Sequence, residues 1–108
     1  LSTIFFELSS SLLKALAHPT RLQILDILKD KDELCVCHIY EDLELEQSNV
    51  SQHLKILKDQ GILSSRKDGL KVMYSVKSPE VFQILDISRK ILIAQLEETQ
   101  NQLRKEGN

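Results

Sequence analysis

Cys35 and Cys37 are the only two cysteines of the chain and stand one residue apart. Thiols at this spacing make a poor disulfide framework for a secreted fold. They suit a reducing, cytoplasmic setting and a role in which sulfur binds or reacts. Three readings stay open: ligands for a soft metal ion, a redox pair that closes on itself or exchanges with a partner thiol protein, or structural thiols in a chain controlled by some other inducer. Residues i and i+2 of a helix point about 200° apart. If the pair lies on a helix, closing both sulfurs on one small ion requires that helix to start later or to unwind.

A second group of residues follows within a dozen positions. Gln47, Ser48, Asn49, Ser51, Gln52 and Lys55 are small or flexible polar side chains without a carboxylate among them. With Val50, Leu54 and Leu57 turned to a core, Ser48, Ser51, Gln52 and Lys55 project from the opposite face of a helix. In a DNA major groove, Gln pairs with adenine, Ser with several bases, and Lys with guanine or phosphate. Gln47 and Asn49 sit at the helix start, where backbone N–H groups favour phosphate. His53 falls beside the core stripe, as either a packed, hydrogen-bonded side chain or a phosphate contact.

Charge distribution supports the DNA reading. The 108 residues carry a net charge of −2, which taken alone speaks against nucleic acid. Between positions 47 and 77, however, Lys55, Lys58, Arg66, Lys67, Lys71 and Lys77 face only Asp59 and Asp68, so a basic block stands inside an acidic chain. Arg66, Lys67 and Lys71 flank a hairpin tip and suit phosphate or minor-groove contact.

The elements that position these residues follow from periodicity. Phe5, Leu8, Leu12 and Leu16 mark a first helix over about 4–16. His18-Pro19 punctuates, and a second helix runs from Thr20 to about Leu28, with Leu22, Ile24, Leu25, Ile27 and Leu28 toward a core. A short helix spans about Leu34–Leu43, with Cys35 and Cys37 on it. After the turn Glu44-Leu45-Glu46, the reading helix runs from Gln47 to between Lys58 and Gln60 and stops at Gly61. The period then becomes two. Ile62–Arg66 and Leu70–Val76 read as strands around Lys67-Asp68-Gly69. Ser78 is the expected cap of a last helix, with Pro79 at its first position and an end near Arg104.

Together these describe a mostly α fold with a two-stranded β wing, a winged helix-turn-helix, in one domain over 1–108. Hydrophobic residues make up 42% of the chain, enough for one modest core. No apolar run reaches the ~20 residues that span a bilayer, so no membrane partner is expected. Leu1–Glu7 lacks a basic n-region and a cleavage pattern and reads as part of the fold rather than as a signal peptide. An enzyme is not expected. A small thiol oxidoreductase built on C-x-C needs a strand-helix-strand scaffold for its thiols, and the pattern shows none. A winged helix that binds only protein is disfavoured by the basic block.

Several segments taken together resemble the ArsR/SmtB family of winged-helix sensor repressors. They are Ala17-His18-Pro19-Thr20-Arg21-Leu22-Gln23-Ile24-Leu25, Glu33-Leu34-Cys35-Val36-Cys37, Ser48-x-x-Ser51-x-His53-Leu54-x-x-Leu57, Gly61-Ile62-Leu63 and Arg66-x-x-Gly69-x-x-Val72-x-Tyr74. The resemblance implies a homodimeric repressor that holds double-stranded operator DNA and leaves it when an inducer binds. Glu-Leu-Cys-Val-Cys is similar to the arsenic-responsive type, whose thiolates take trivalent arsenic or antimony; no other cofactor is required. This chain departs from that pattern at His38-Ile39-Tyr40, where a third Cys is often found. A third ligand would come from a small thiol, a solvent oxygen or a cysteine preceding Leu1. With His38, the pair would better suit zinc or cadmium. The family's other metal site, on the last helix, is broken here by Asp86-Ile87-Ser88. Phe5, Leu8, Leu12, Leu16, Val81, Leu85, Leu92 and Leu96 form the expected dimer seam, part of which packs within the chain. A two-fold dimer would set its two reading helices about one DNA turn apart, ~34 Å.

Overall fold

The computed structural model describes residues 2–107, which fall into two compact units, one ending at Ser78 and the other starting at Pro79. The first holds α1 (Thr3–Leu16), α2 (Pro19–Leu28), β1 (Leu34–Cys35), α3 (Val36–Leu43), α4 (Gln47–Asp59), β2 (Leu63–Asp68) and β3 (Lys71–Val76). The second is α5 (Val81–Glu106). The fold is a winged helix-turn-helix, mostly helical with a small antiparallel sheet.

Local chemistry sets most of the boundaries. The Ser2 hydroxyl accepts the Phe5 N–H and caps α1. His18 does the same for α2: its Nδ1 accepts the Thr20 N–H at 3.1 Å, and Pro19, with no N–H to satisfy, takes the first helical position. α2 buries Ile24, Leu25 and Leu28, whereas Leu22, expected in the core, is 39% exposed. Its position starts the helix on the solvent side of that stripe. α3 ends at Glu44, which takes a left-handed φ of 55° and turns the chain into α4. Val50, Leu54 and Leu57 of α4 are fully buried. Burying such side chains contributes roughly 1.5–3 kcal/mol each.

The end of α4 is a Schellman motif. Gly61 has a φ of 75°, its N–H reaches Lys58 O, and the Ile62 N–H reaches Leu57 O. Leu57 and Ile62, the apolar pair that accompanies this motif, are both fully buried.

The sheet differs from expectation in two ways. It has three strands in the order β1-β3-β2, all antiparallel. β1 replaces the expected first turn of α3: Leu34 pairs with Tyr74 and Cys35 with Met73, so Cys35 is extended (φ −63°, ψ 142°) and is not on the helix. The wing turn also shifts. Asp68 pairs with Lys71, so both belong to strands and the turn is Gly69-Leu70, with φ 63° at the glycine.

Ser78 does not cap the last helix. Its hydroxyl donates to Gly61 O at 2.8 Å, and α5 starts three residues later with Glu80 as N-cap and no side-chain cap. α5 is 26 residues long. Val81 is buried, while Ile84, Ile87, Ile91, Leu92, Ile93, Leu96 and Leu103 are exposed. Ile4, Phe5, Phe6, Leu8 and Leu13 of α1 are likewise exposed, and Leu16 is buried. Of the expected seam, Leu16 and Val81 are buried. No helix among the described residues is long and apolar enough to cross a membrane.

Candidate nucleic-acid interface and thiol pair

α4 presents Gln47, Ser48, Asn49, Ser51, Gln52 and Lys55 to solvent, opposite its buried stripe. No side chain caps its first turn, which leaves N–H groups there for an external acceptor. Lys55 is not idle: its Nζ lies 2.9 Å from Asp59 Oδ2, one turn on, and this hydrogen bond raises its pKa. Both groups are exposed, so the pair is weak and DNA can displace it.

His53 is half-buried and turned to the protein. Its Nδ1 lies 3.1 Å from an Arg21 Nη, and its ring stands 4.4 Å from the ring of His18. Because the guanidinium can only donate, Nδ1 accepts, which makes His53 the neutral tautomer protonated on Nε2. Desolvation, then the charges of His18 and Arg21, lower its pKa. Arg21 also donates from Nε to Ala15 O at 2.6 Å and from Nη2 to Lys14 O at 3.3 Å. One side chain thus ties the end of α1 to α2 and to the reading helix. Its partners stand six, seven and 32 positions away, so no local pattern marks Arg21.

In the wing, Lys67 and Lys71 are exposed, and neither joins an ion pair among the described residues. Arg66 does. Its guanidinium grips both carboxylate oxygens of Glu33, with the Nε–Oε2 arm at 2.9 Å, and lowers the Glu33 pKa. Arg66 therefore fastens the wing to the segment entering β1, and it meets a phosphate only by sharing or leaving Glu33. Leu70, fully exposed, stands at the wing tip.

Cys35 and Cys37 are joined as a disulfide, with Cα atoms 5.1 Å apart. The late helix start makes this possible. Cys35 is the extended N-cap of α3, and its Sγ accepts the Cys37 N–H at 3.1 Å. Both cysteines are half-buried and line a cleft of about 410 Å³. Val36, Leu70 and Val72 give it apolar walls; Tyr40, Tyr74, Gln47, Ser51 and Lys71 supply polar groups. No carboxylate lines it, and three of its residues come from the surface suited to DNA. His38 is exposed and does not line the cleft. Among the described residues no three His, Cys, Asp or Glu side chains gather as a metal site.

Comparison with known proteins places this geometry. Residues 18–65, from the cap of α2 to mid-wing, match the family described as bacterial regulatory protein, arsR family. The chain is 36% identical over 87 residues to the HTH-type transcriptional regulator Rv0081 of Mycobacterium tuberculosis, covering 81% of this chain and 76% of that one. The crystal structure of Rv0081 superposes with a TM-score of 0.77, covering 90% and 97% of the two chains. A homodimeric winged helix-turn-helix DNA-binding domain from Mycobacterium bovis, 26% identical, superposes with a TM-score of 0.75 over 91% and 93%. The arsenical resistance operon repressor of Staphylococcus xylosus is 42% identical over 67 residues, 62% of this chain and 64% of that one. These relatives are transcription regulators rather than enzymes. On this likeness in sequence and fold, the chain belongs to the arsR family of DNA-binding transcriptional regulators.

Proposed function

We propose that this chain is a homodimeric repressor that holds operator DNA while Cys35 and Cys37 are thiols and releases it when they are oxidised to a disulfide. The observation that carries this reading is the Cys35–Cys37 bond across the first turn of α3, the helix that packs against α4. Closure demands that Cys35 leave the helix, because i and i+2 diverge by about 200° on one. The pair therefore selects where α3 begins, and α3 supports the helix that reads DNA. A coupling of order 1–3 kcal/mol between the two is enough for a useful switch. The two thiols lose two electrons and two protons, which a small disulfide or the disulfide form of a partner protein accepts.

DNA contacts fall to Gln47, Ser48, Asn49, Ser51, Gln52 and Lys55 at the groove, and to Lys67, Lys71 and a rearranged Arg66 at the backbone. His53 serves as a packed anchor for α4. The exposed apolar faces of α1 and of α5 each suit a second copy of the chain.

A second reading keeps the same switch with a thiophilic ion, trivalent arsenic first, as the inducer. The likeness to the arsenical resistance operon repressor favours it. The extended Cys35 lets both thiolates face one ion, with a third ligand supplied by a small thiol or solvent.

A DNA-release titration with a disulfide oxidant, arsenite, cadmium and zinc in parallel separates the two. Oxidant release that disappears in Cys35→Ser and in the double Ser variant is the expected result. Release of the double Ser variant at the wild-type dose would refute any thiol switch. Binding to duplex that does not weaken with salt would refute the DNA reading itself.

A further inference from the structure

The cleft beside the cysteines has a composition that selects its visitor. Its single charged side chain is the Lys71 ammonium, its donors include Gln47 and Ser51, and Val36, Leu70 and Val72 keep part of it apolar. Its volume, about 410 Å³, lies in the range of small-molecule sites. Cys35 and Cys37, whose sulfurs form the disulfide, both line it. A small molecule that reaches these sulfurs therefore passes a cation and meets no carboxylate on the cleft wall.

We propose that this cleft is the entry site for a small disulfide bearing carboxylates, that it reacts first at Cys35, and that the resulting adduct takes the space DNA needs against Gln47, Ser51 and Lys71. This deepens and rests on the thiol-switch reading above. Cys35 is the nucleophile because its Sγ caps the eight-residue α3 by accepting the Cys37 N–H, a position that favours a thiolate. The Cys35 thiolate attacks one sulfur of the incoming R–S–S–R. That bond breaks, and RS⁻ leaves with the electron pair and takes a proton. The mixed disulfide on Cys35 now fills the cleft. Cys37 then loses its proton and attacks Cys35 Sγ, forming the protein disulfide and expelling the second RS⁻, which is protonated in turn. Two protein thiols and one disulfide become one protein disulfide and two small thiols.

The geometry makes the inducer and DNA direct competitors. Gln47 and Ser51 stand at the start of the reading helix and Lys71 at the base of the wing turn, and all three line the cleft. Release then begins at the adduct, before any rearrangement of α3, and bound DNA in turn shields Cys35.

The test uses the full-length Cys37→Ser variant, in which the adduct on Cys35 cannot resolve and accumulates. Two symmetric disulfides of similar size and opposite charge serve as probes, 3,3′-dithiodipropionate and cystamine, with adducts counted by mass spectrometry. Lys71→Gln should shift the ratio of their rates about tenfold toward cystamine at low salt. Lys71→Glu should shift it further; Lys71 is exposed, so both variants are expected to fold. Saturating random-sequence duplex should slow the dithiodipropionate reaction more than tenfold, and the isolated adduct should fail to bind that duplex. A rate ratio indifferent to Lys71, an adduct that still binds duplex, or DNA-bound protein reacting at the free rate would each overturn the proposal. The redox reading fails by a different result, equal duplex binding by wild-type dithiol and wild-type disulfide.

Discussion

Lys67→Ala should flatten the salt dependence of DNA binding more than Arg66→Ala, although the arginine is the better phosphate ligand in general. The reason is occupancy. Lys67 is exposed and outside every ion pair among the described residues, whereas Arg66 spends both arms on Glu33. Each phosphate neutralised on duplex DNA adds about 0.9 to the slope of log affinity against log salt. A dimer losing two Lys67 contacts should therefore lose about 1.8 from its slope. Between 50 and 200 mM salt, the wild type should then weaken by about twelvefold more than the variant. Arg66→Ala removes a cation but also frees the Glu33 carboxylate, and its slope should change by less than half as much. The assay is fluorescence anisotropy of a labelled random-sequence duplex over that salt range, with Gln52→Ala as a control that leaves the slope unchanged. A full-sized drop for Arg66→Ala with none for Lys67→Ala would refute the reasoning, because it would mean that the Glu33 grip does not hold Arg66 away from the backbone.

Two further outcomes concern the fold that carries the site. His53 has a lowered pKa in the folded chain, so as pH falls the unfolded chain protonates first. The stability this group contributes above about pH 6.5 is therefore lost at lower pH. Chemical denaturation of wild type and His53→Gln at pH 8 and pH 5 should show a smaller acid loss in the variant, and equal losses would deny His53 that role. Gly69→Ala should cost about 1–2 kcal/mol. A Cβ there meets nothing within 4 Å, so the cost is the positive φ alone, and a neutral result in thermal unfolding would rule out the turn geometry.

What periodicity and local chemistry control could be read directly. Val50, Leu54 and Leu57 recur at helical spacing and define the reading face by exclusion, and Gly61 ends that helix through its own backbone geometry. Where one residue decides between two local solutions, periodicity does not choose between them. Asp-Gly suggested the wing turn, but strand pairing extends through Asp68 and Lys71 and moves the turn to Gly69-Leu70. β1 was invisible because two residues have no period; only pairing with β3 makes them a strand. The Arg21–His53 and Glu33–Arg66 links join positions 32 and 33 apart and leave no local trace. The cysteines lie between these cases. Helical geometry says that Cys35 and Cys37 cannot meet on one helix, and it leaves open which residue yields. The strand pairing of Leu34 and Cys35 answers that, by giving Cys35 an extended partner on β3 and leaving Val36 to start α3. A bond between the sulfurs and a pairing between the strands therefore favour the same backbone, so breaking either one weakens the hold on the other.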